Sequence, residues 1–215
     1  VTAGAPSPGS NIFEGMVDFF DAARESPPHR ELSDLAWEFA AAGPAGPLLD
    51  VGCGAGVFLD KARASGRRAF GTDLAVGMVR RAHRHGHAAA ASDVAALPFP
   101  NATFAVATAM LVLHLVPDAH AALAELARVL VPGGRLVVVT QGLTWDEPVA
   151  RALSANRGYT GVSHEFVVGS ARSGAAHRRF DPDGLSASFD EAGFTTMRVT
   201  AGLDGHVLVG AANRR

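Results

Sequence analysis

The chain of 215 residues is poor in several residue types, and each scarcity narrows what it can be. Its one cysteine, Cys53, excludes an intrachain disulfide framework and any metal centre built from several thiolates. No apolar run approaches the ~18 residues of a membrane span, so no membrane partner is expected. Positive charge is not in excess: 19 basic residues face 21 acidic ones, giving a net charge of −2. A basic field able to hold a phosphate backbone is therefore missing, which excludes nucleic acid as an expected partner. The first residues lack a basic stretch followed by an apolar core, so no secretory signal is expected and a cytoplasmic location follows. Lysine is almost absent: Lys61 stands alone among the 19 basic residues. Together with abundant alanine and glycine, this points to a high-GC bacterial genome, a matter of coding bias rather than chemistry.

What is present reads as globular. Hydrophobic residues make up 48% and charged residues 19%, and the length suits one α/β unit with a substantial core. Residues 1–10, rich in Gly, Pro, Ser and Ala, are expected to fray. Ile12, Phe13, Met16, Val17, Phe19 and Phe20 predict an amphipathic helix over 11–24, capped by Ser10 or Asn11 and broken at Pro27-Pro28. A second helix is expected over 31–42. Strand and helix patterns then alternate: 47–52, 56–66, 68–73, 76–86, 87–92, 103–109, 118–130 and 134–140. Such alternation predicts a parallel sheet with helices on both faces. Between Gln141 and Phe180 the pattern loses its period and gathers Trp145, Tyr159, His164, Phe166, His177, Arg178 and Arg179. A helix over 183–192 follows, then two strands, 194–200 and 205–212, joined by a tight turn at Leu203-Asp204-Gly205.

The densest chemical signal is Leu48-Leu49-Asp50-Val51-Gly52-Cys53-Gly54-Ala55-Gly56-Val57-Phe58. An apolar strand reaches an acid, crosses three glycines and resumes as a helix. Glycines allow positive φ and close backbone approach to a ligand. The free N–H groups of the following helix favour an anionic or polar ligand group. The dinucleotide fingerprint is G-x-G-x-x-G. Here the third glycine place holds Val57, and the glycine sits instead at Gly56.

Further motifs follow in order. Arg68-Ala69-Phe70-Gly71-Thr72-Asp73 is a strand ending in an acid, placed to accept ribose hydroxyls. Then come Asp93-Val94-Ala95-Ala96-Leu97-Pro98-Phe99, the strand Phe104-Ala105-Val106-Ala107-Thr108-Ala109-Met110, and Glu125-Leu126-Ala127-Arg128-Val129-Leu130-Val131-Pro132-Gly133-Gly134. Over about two-fifths of the chain, roughly residues 48–140, this series resembles the class I S-adenosylmethionine-dependent methyltransferases. The likeness is to the subgroup acting on small molecules, including the ubiquinone, menaquinone and natural-product enzymes.

The resemblance implies a Rossmann-like, doubly wound sheet of about seven strands, mostly parallel with an antiparallel last strand. It implies one methyltransferase domain over 1–215, with N-terminal helices in 1–45 and a substrate-covering insertion in 141–180. The cofactor implied is S-adenosyl-L-methionine, with S-adenosyl-L-homocysteine as product. The residues implied to hold it are Asp50, Gly52, Cys53, Gly54, Asp73, Leu74, Met78, Asp93, Val94 and Met110. Cys53 is expected to offer its backbone rather than a reactive thiol. The partner implied is a small molecule carrying an O, N or C nucleophile, and the enzyme is expected to be a monomer or homodimer.

One departure bears on catalysis. Where the subgroup usually reads "L-h-H", this chain has Leu113-His114-Leu115, so the usual histidine role does not transfer to Leu115. His114, beyond the fourth strand, and His164, in the irregular stretch, are the candidate bases. Each has a bland alternative as a packed side chain. Trp145 and Tyr159 are expected to line the substrate pocket, with core packing as the alternative. His83, His85 and His87 alternate, but a helix end at Gly86 separates them, so no metal site is expected. A dinucleotide-dependent oxidoreductase and a protein that binds S-adenosylmethionine without transferring its methyl group are the competing functional readings.

Overall fold

A computed structural model of the protein describes residues 13–174 and 178–215. The fraying expected of 1–10, the caps at Ser10 and Asn11, Ile12 and His177 lie outside the described residues. Seven strands form one sheet in the order β3-β2-β1-β4-β5-β7-β6. They are β1 (Leu48–Val51), β2 (Ala69–Asp73), β3 (Ala89–Ala91), β4 (Phe104–Met110), β5 (Leu130–Gln141), β6 (Phe194–Gly202) and β7 (Val207–Arg214). β1 through β5 pair in parallel, whereas β7 runs antiparallel to both β5 and β6. The chain first steps outward from β1 to β2 and β3, then returns to place β4 on the other side of β1. That reversal opens a crevice at the carboxyl ends of β1 and β4, the usual ligand position in open α/β sheets.

Eight helices are described: α1 (Val17–Ala23), α2 (Pro27–Ala41), α3 (Val57–Ala64), α4 (Val76–Arg84), α5 (Ala119–Val129), α6 (Glu147–Asn156), α7 (Gly161–Gly174) and α8 (Pro182–Glu191). Strand alternation assigns them to two faces. Leu49, Val51, Leu136 and Val138 join Leu123, Leu126, Leu185 and Phe189 of α5 and α8 in one core. Their neighbours Leu48, Val137 and Val139 join Leu32, Ala36, Leu153 and Phe166 of α2, α6 and α7 in the other.

Two expectations need correction. Pro27-Pro28 does not break a helix but begins one: Ser26 is the extended N-cap (φ −72°, ψ 146°) and Pro27 opens α2. A proline costs nothing at the first helical position, where its missing N–H has no partner to lose. The stretch 141–180, which lacks a clean period, holds α6 and α7. Asp146 caps α6 by accepting from the Val149 N–H at 2.9 Å. α7 packs against α6, α2 and α1, so apolar residues spread around it instead of forming one stripe. The closing hairpin turns where expected, with Leu203, Asp204 and Gly205 all at positive φ.

Candidate functional site

The site is built where β1, β2 and β4 end together. Asp50, the third residue of β1, lies beside Thr108 of β4 in the sheet register. The Thr108 hydroxyl donates to Asp50 Oδ1 at 2.7 Å. Asp50 is buried, and its carboxyl is pushed up to about 7, mainly by desolvation and further by the charge of Asp73; the Thr108 bond opposes the shift. Asp73 closes β2 and spans two backbone segments, accepting from the Gly54 N–H and the Ala75 N–H, each at 2.9 Å. Desolvation raises its carboxyl as well, against those backbone donors, and the charge of Glu14 adds to the rise. Neither carboxylate has a salt bridge among the described residues.

The three glycines do different things. All have positive φ: +66° at Gly52, +51° at Gly54 and +98° at Gly56. A Cβ at Gly52 would lie 2.2 Å from Val112 Cγ2, so this glycine lets the chain leaving β4 cross the loop. A Cβ at Gly56 would lie 2.6 Å from the His87 ring. Gly54 alone faces open space, with nothing within 4 Å of such a Cβ. The crossing over Gly52 depends on Leu111, whose φ of +57° is uncommon for a large residue. No sequence signal marks Leu111 or Val112.

Cys53 turns its side chain away from the crevice. Its N–H bonds the Thr72 carbonyl at 2.9 Å, and a Cβ at Gly71 would lie 2.7 Å from its sulfur. Burial pushes the thiol up, which disfavours a reactive thiolate. Leu74 follows Asp73 and is exposed, while Met78 is buried in α4. Asp93 lies past the end of β3, exposed, its Oδ1 accepting from the Ala95 N–H at 2.9 Å, with Val94 buried beside it. Met110 ends β4 half-buried. The fold thus gathers nine of the ten expected cofactor residues at one sheet edge and turns Met78 into the packing beside it.

The expected catalytic and substrate residues divide differently. His114 lies between β4 and α5 and is buried, 3% exposed. His164 on α7 is half-buried, with Nδ1 at 2.8 Å from Ser154 Oγ of α6. Trp145, expected to line a pocket, is 1% exposed and belongs to the core, its Nε1 donating to Ser170 Oγ at 3.2 Å. The loss of period that suggested a pocket reflects buried helix packing. Tyr159 is half-buried, its hydroxyl accepting from Arg157 at 3.2 Å; Arg157 also pairs with Glu31 and Asp204. The three alternating histidines diverge. His83 meets the Ala89 carbonyl, His85 meets Asp21, and His87 meets Asp60.

α1 lies across α4. Arg81 of α4 pairs with Asp18 and Asp21 of α1, and Glu14 accepts from the Gly77 N–H at 3.0 Å. Arg24, at the end of α1, pairs with Asp60 of α3. These ties keep the N-terminal segment beside the crevice.

A buried and a half-buried carboxylate without a paired cation, at the mouth of a glycine loop with one open face, suit a cationic nucleoside. An S-adenosylmethionine molecule brings a sulfonium and an ammonium for the acids and a ribose for Asp73. Geometry therefore defines an α/β protein whose switch-point crevice suits a nucleoside. Residues 49–138 match the model of the methyltransferase domain family. Over 133 residues the chain is 33% identical to the malonyl-[acyl-carrier protein] O-methyltransferase of Serratia marcescens, covering 61% of this chain and 51% of that protein. It is 38% identical over 96 residues to the demethylmenaquinone methyltransferase of Mycobacterium marinum, covering 45% of this chain and 42% of that one. The chain spans about half the length of these curated relatives. Its fold superposes on the magnesium protoporphyrin IX methyltransferase of Synechocystis PCC 6803 with bound S-adenosyl-L-homocysteine. The TM-score is 0.68 at 16% identity, over 95% of this chain and 99% of that one. Residues 49–138 thus match a methyltransferase domain, and the fold is the one seen in a methyltransferase with S-adenosyl-L-homocysteine bound.

Proposed function

We propose that the protein transfers a methyl group from S-adenosyl-L-methionine to an O, N or C nucleophile of a small molecule of secondary or quinone-type metabolism. It would act in the bacterial cytoplasm as a monomer or homodimer. The observation that carries this reading is the pair of carboxylates at the glycine loop, Asp50 buried and Asp73 half-buried, neither with a paired cation among the described residues. No helix among the described residues is long and apolar enough to cross a membrane.

When bound, the cofactor supplies an electrophilic methyl on a sulfonium. Asp73 would exchange its backbone partners for the ribose hydroxyls, and Asp50 would ionise against the cationic amino-acid end. Asp93 would accept from the adenine amino group, with Leu74, Val94 and Met110 around the base and Met78 behind them. Gly52, Cys53 and Gly54 would offer backbone. Holding donor and acceptor in line and excluding water is most of the chemistry such a transfer needs. A base is required only for an acceptor that must lose a proton. His164, whose Nδ1 lies 2.8 Å from Ser154 Oγ, would offer Nε2 for that purpose; His114 would be the buried alternative. Tyr159, beside Arg157, would face the acceptor.

The test is incubation with methyl-labelled S-adenosylmethionine and a panel of phenols, quinols, amines and carboxylates. Label in an acceptor, with S-adenosylhomocysteine formed in equal amount, supports the reading. Tight binding with no S-adenosylhomocysteine from any acceptor points to a protein that uses the cofactor without transfer. Binding of a nicotinamide dinucleotide instead would return the oxidoreductase reading, against which Val57 in the third glycine place already argues.

A further inference from the structure

Gly56 and His87 are far apart in sequence and touch in the fold. Past the C-cap His85 of α4, Gly86 turns the chain with a φ of +82°. The Gly86 N–H bonds the His83 carbonyl at 2.9 Å and the His87 N–H bonds the Ala82 carbonyl at 3.0 Å, which fixes where His87 leaves the helix. Its ring, buried, lies directly against the backbone of Gly56, where any Cβ would be 2.6 Å from Cδ2 and 3.1 Å from Nε2. The third glycine of the loop therefore makes room for a protein side chain, whereas Gly54 presents its open face to the crevice.

The same imidazole reaches the helix that the loop begins. His87 Nε2 lies 3.1 Å from Asp60 Oδ1. Asp60 is in the first turn of α3, and its own N–H bonds the Gly56 carbonyl at 2.9 Å. Gly56 is thus held from two sides, by the ring against its Cα and by the helix bond on its carbonyl. Desolvation pushes the His87 imidazole down, which favours the neutral ring, and its Nε2 lies near Asp60 without forming a hydrogen bond to it. Asp60 also takes Arg63 at 2.6 Å and Arg24 from the end of α1. Asp60 thus links the start of α3, the segment leading into β3 and the end of α1.

We propose that His87 is a positioning residue of the cofactor loop. Its ring holds Gly56 in the left-handed conformation that leaves the open face of Gly54 toward the cofactor, and Asp60 beside the ring ties that position through Arg24 to α1. This inference rests on the cofactor reading above.

A two-residue cycle in the full chain tests it: Gly56→Ala, His87→Ala and both together, with S-adenosylmethionine and S-adenosylhomocysteine affinity read by calorimetry below each melting temperature. Strain from placing alanine at φ +98° is present in either background and cancels. His87→Ala alone is expected to weaken both ligands by about tenfold, because the loop loses its support. Gly56→Ala should cost at least about tenfold less affinity in the His87→Ala background than in the native one, because the clash has gone. His87→Gln, which keeps a planar side chain against Gly56, should recover part of the loss. Additive effects, or native affinity in His87→Ala, overturn the proposal. Failure of the native chain to bind either ligand overturns the cofactor reading itself and is told apart by that control.

Discussion

Replacing Asp50 by Asn separates two consequences of one buried charge. Burial raises the Asp50 carboxyl from 3.8 to about 7 in the folded protein. That is roughly three pK units, or on the order of 4 kcal/mol of destabilisation once the group is fully ionised. The sign follows from proton counts. Between about pH 4 and 7 the folded state holds a proton that the unfolded chain has lost, so stability falls as pH rises through this window and levels above it. Asparagine has the same shape, can still accept from Thr108, and carries no charge. Its advantage over the native chain should be near zero at pH 4 and complete above pH 7. At roughly 2–4 °C per kcal/mol for a chain of this size, the ligand-free variant should melt about 5–15 °C higher at pH 8. The same substitution should weaken S-adenosylmethionine binding tenfold or more, since a charge-assisted partner is lost. In the native chain that affinity should rise as pH is raised through 7. Thermal melts from pH 4 to 8, paired with calorimetry, read both effects. A variant less stable than the native chain at pH 8, or a stability difference that ignores pH, would refute the reasoning.

Other substitutions probe the rest of the site. Asp73→Ala should weaken S-adenosylmethionine by about ten- to a hundredfold, the worth of charge-assisted hydrogen bonds to a ribose; unchanged affinity by calorimetry would remove that role. Trp145→Ala should cost about 3–5 kcal/mol of stability, as expected of a large side chain removed from a core, while Tyr159→Phe should leave the melt unchanged and impair methyl transfer. His114→Ala should lower turnover at least about tenfold with cofactor binding retained if it is the base. An early melt with normal turnover per folded molecule makes it a packing residue instead, and a larger rate loss in His164→Ala puts the base on α7.

The sheet was legible because its signals are local. Apolar runs ending at Asp50, Asp73 and Met110, with turn residues after them, mark parallel strands that share a carboxyl edge, and the glycine loop marks where they open. The turn at Leu203-Asp204-Gly205 could be read from its residue types for the same reason. What was not legible depends on contacts between distant segments. Pro27 reads as a break until Ser26 is seen capping the helix it starts. α7 hides its period because three neighbours bury different sides of it, and the same packing moves Trp145 from an expected pocket into the core. Leu111 takes a left-handed conformation that its residue type disfavours, so no pattern announces the crossing over Gly52. His87 reads as one of three alternating histidines at a helix end. Only the fold shows that its ring occupies the space Gly56 leaves.

The central claim is that the crevice at the ends of β1 and β4 takes S-adenosylmethionine between Asp50 and Asp73. Calorimetric titration of the purified chain at pH 8 with S-adenosylmethionine, beside a nicotinamide dinucleotide, tests it most directly. The account predicts one S-adenosylmethionine bound per chain, lost or greatly weakened in Asp50→Asn and Asp73→Ala, and no dinucleotide binding. Binding that survives both substitutions, or a preference for the dinucleotide, would contradict it.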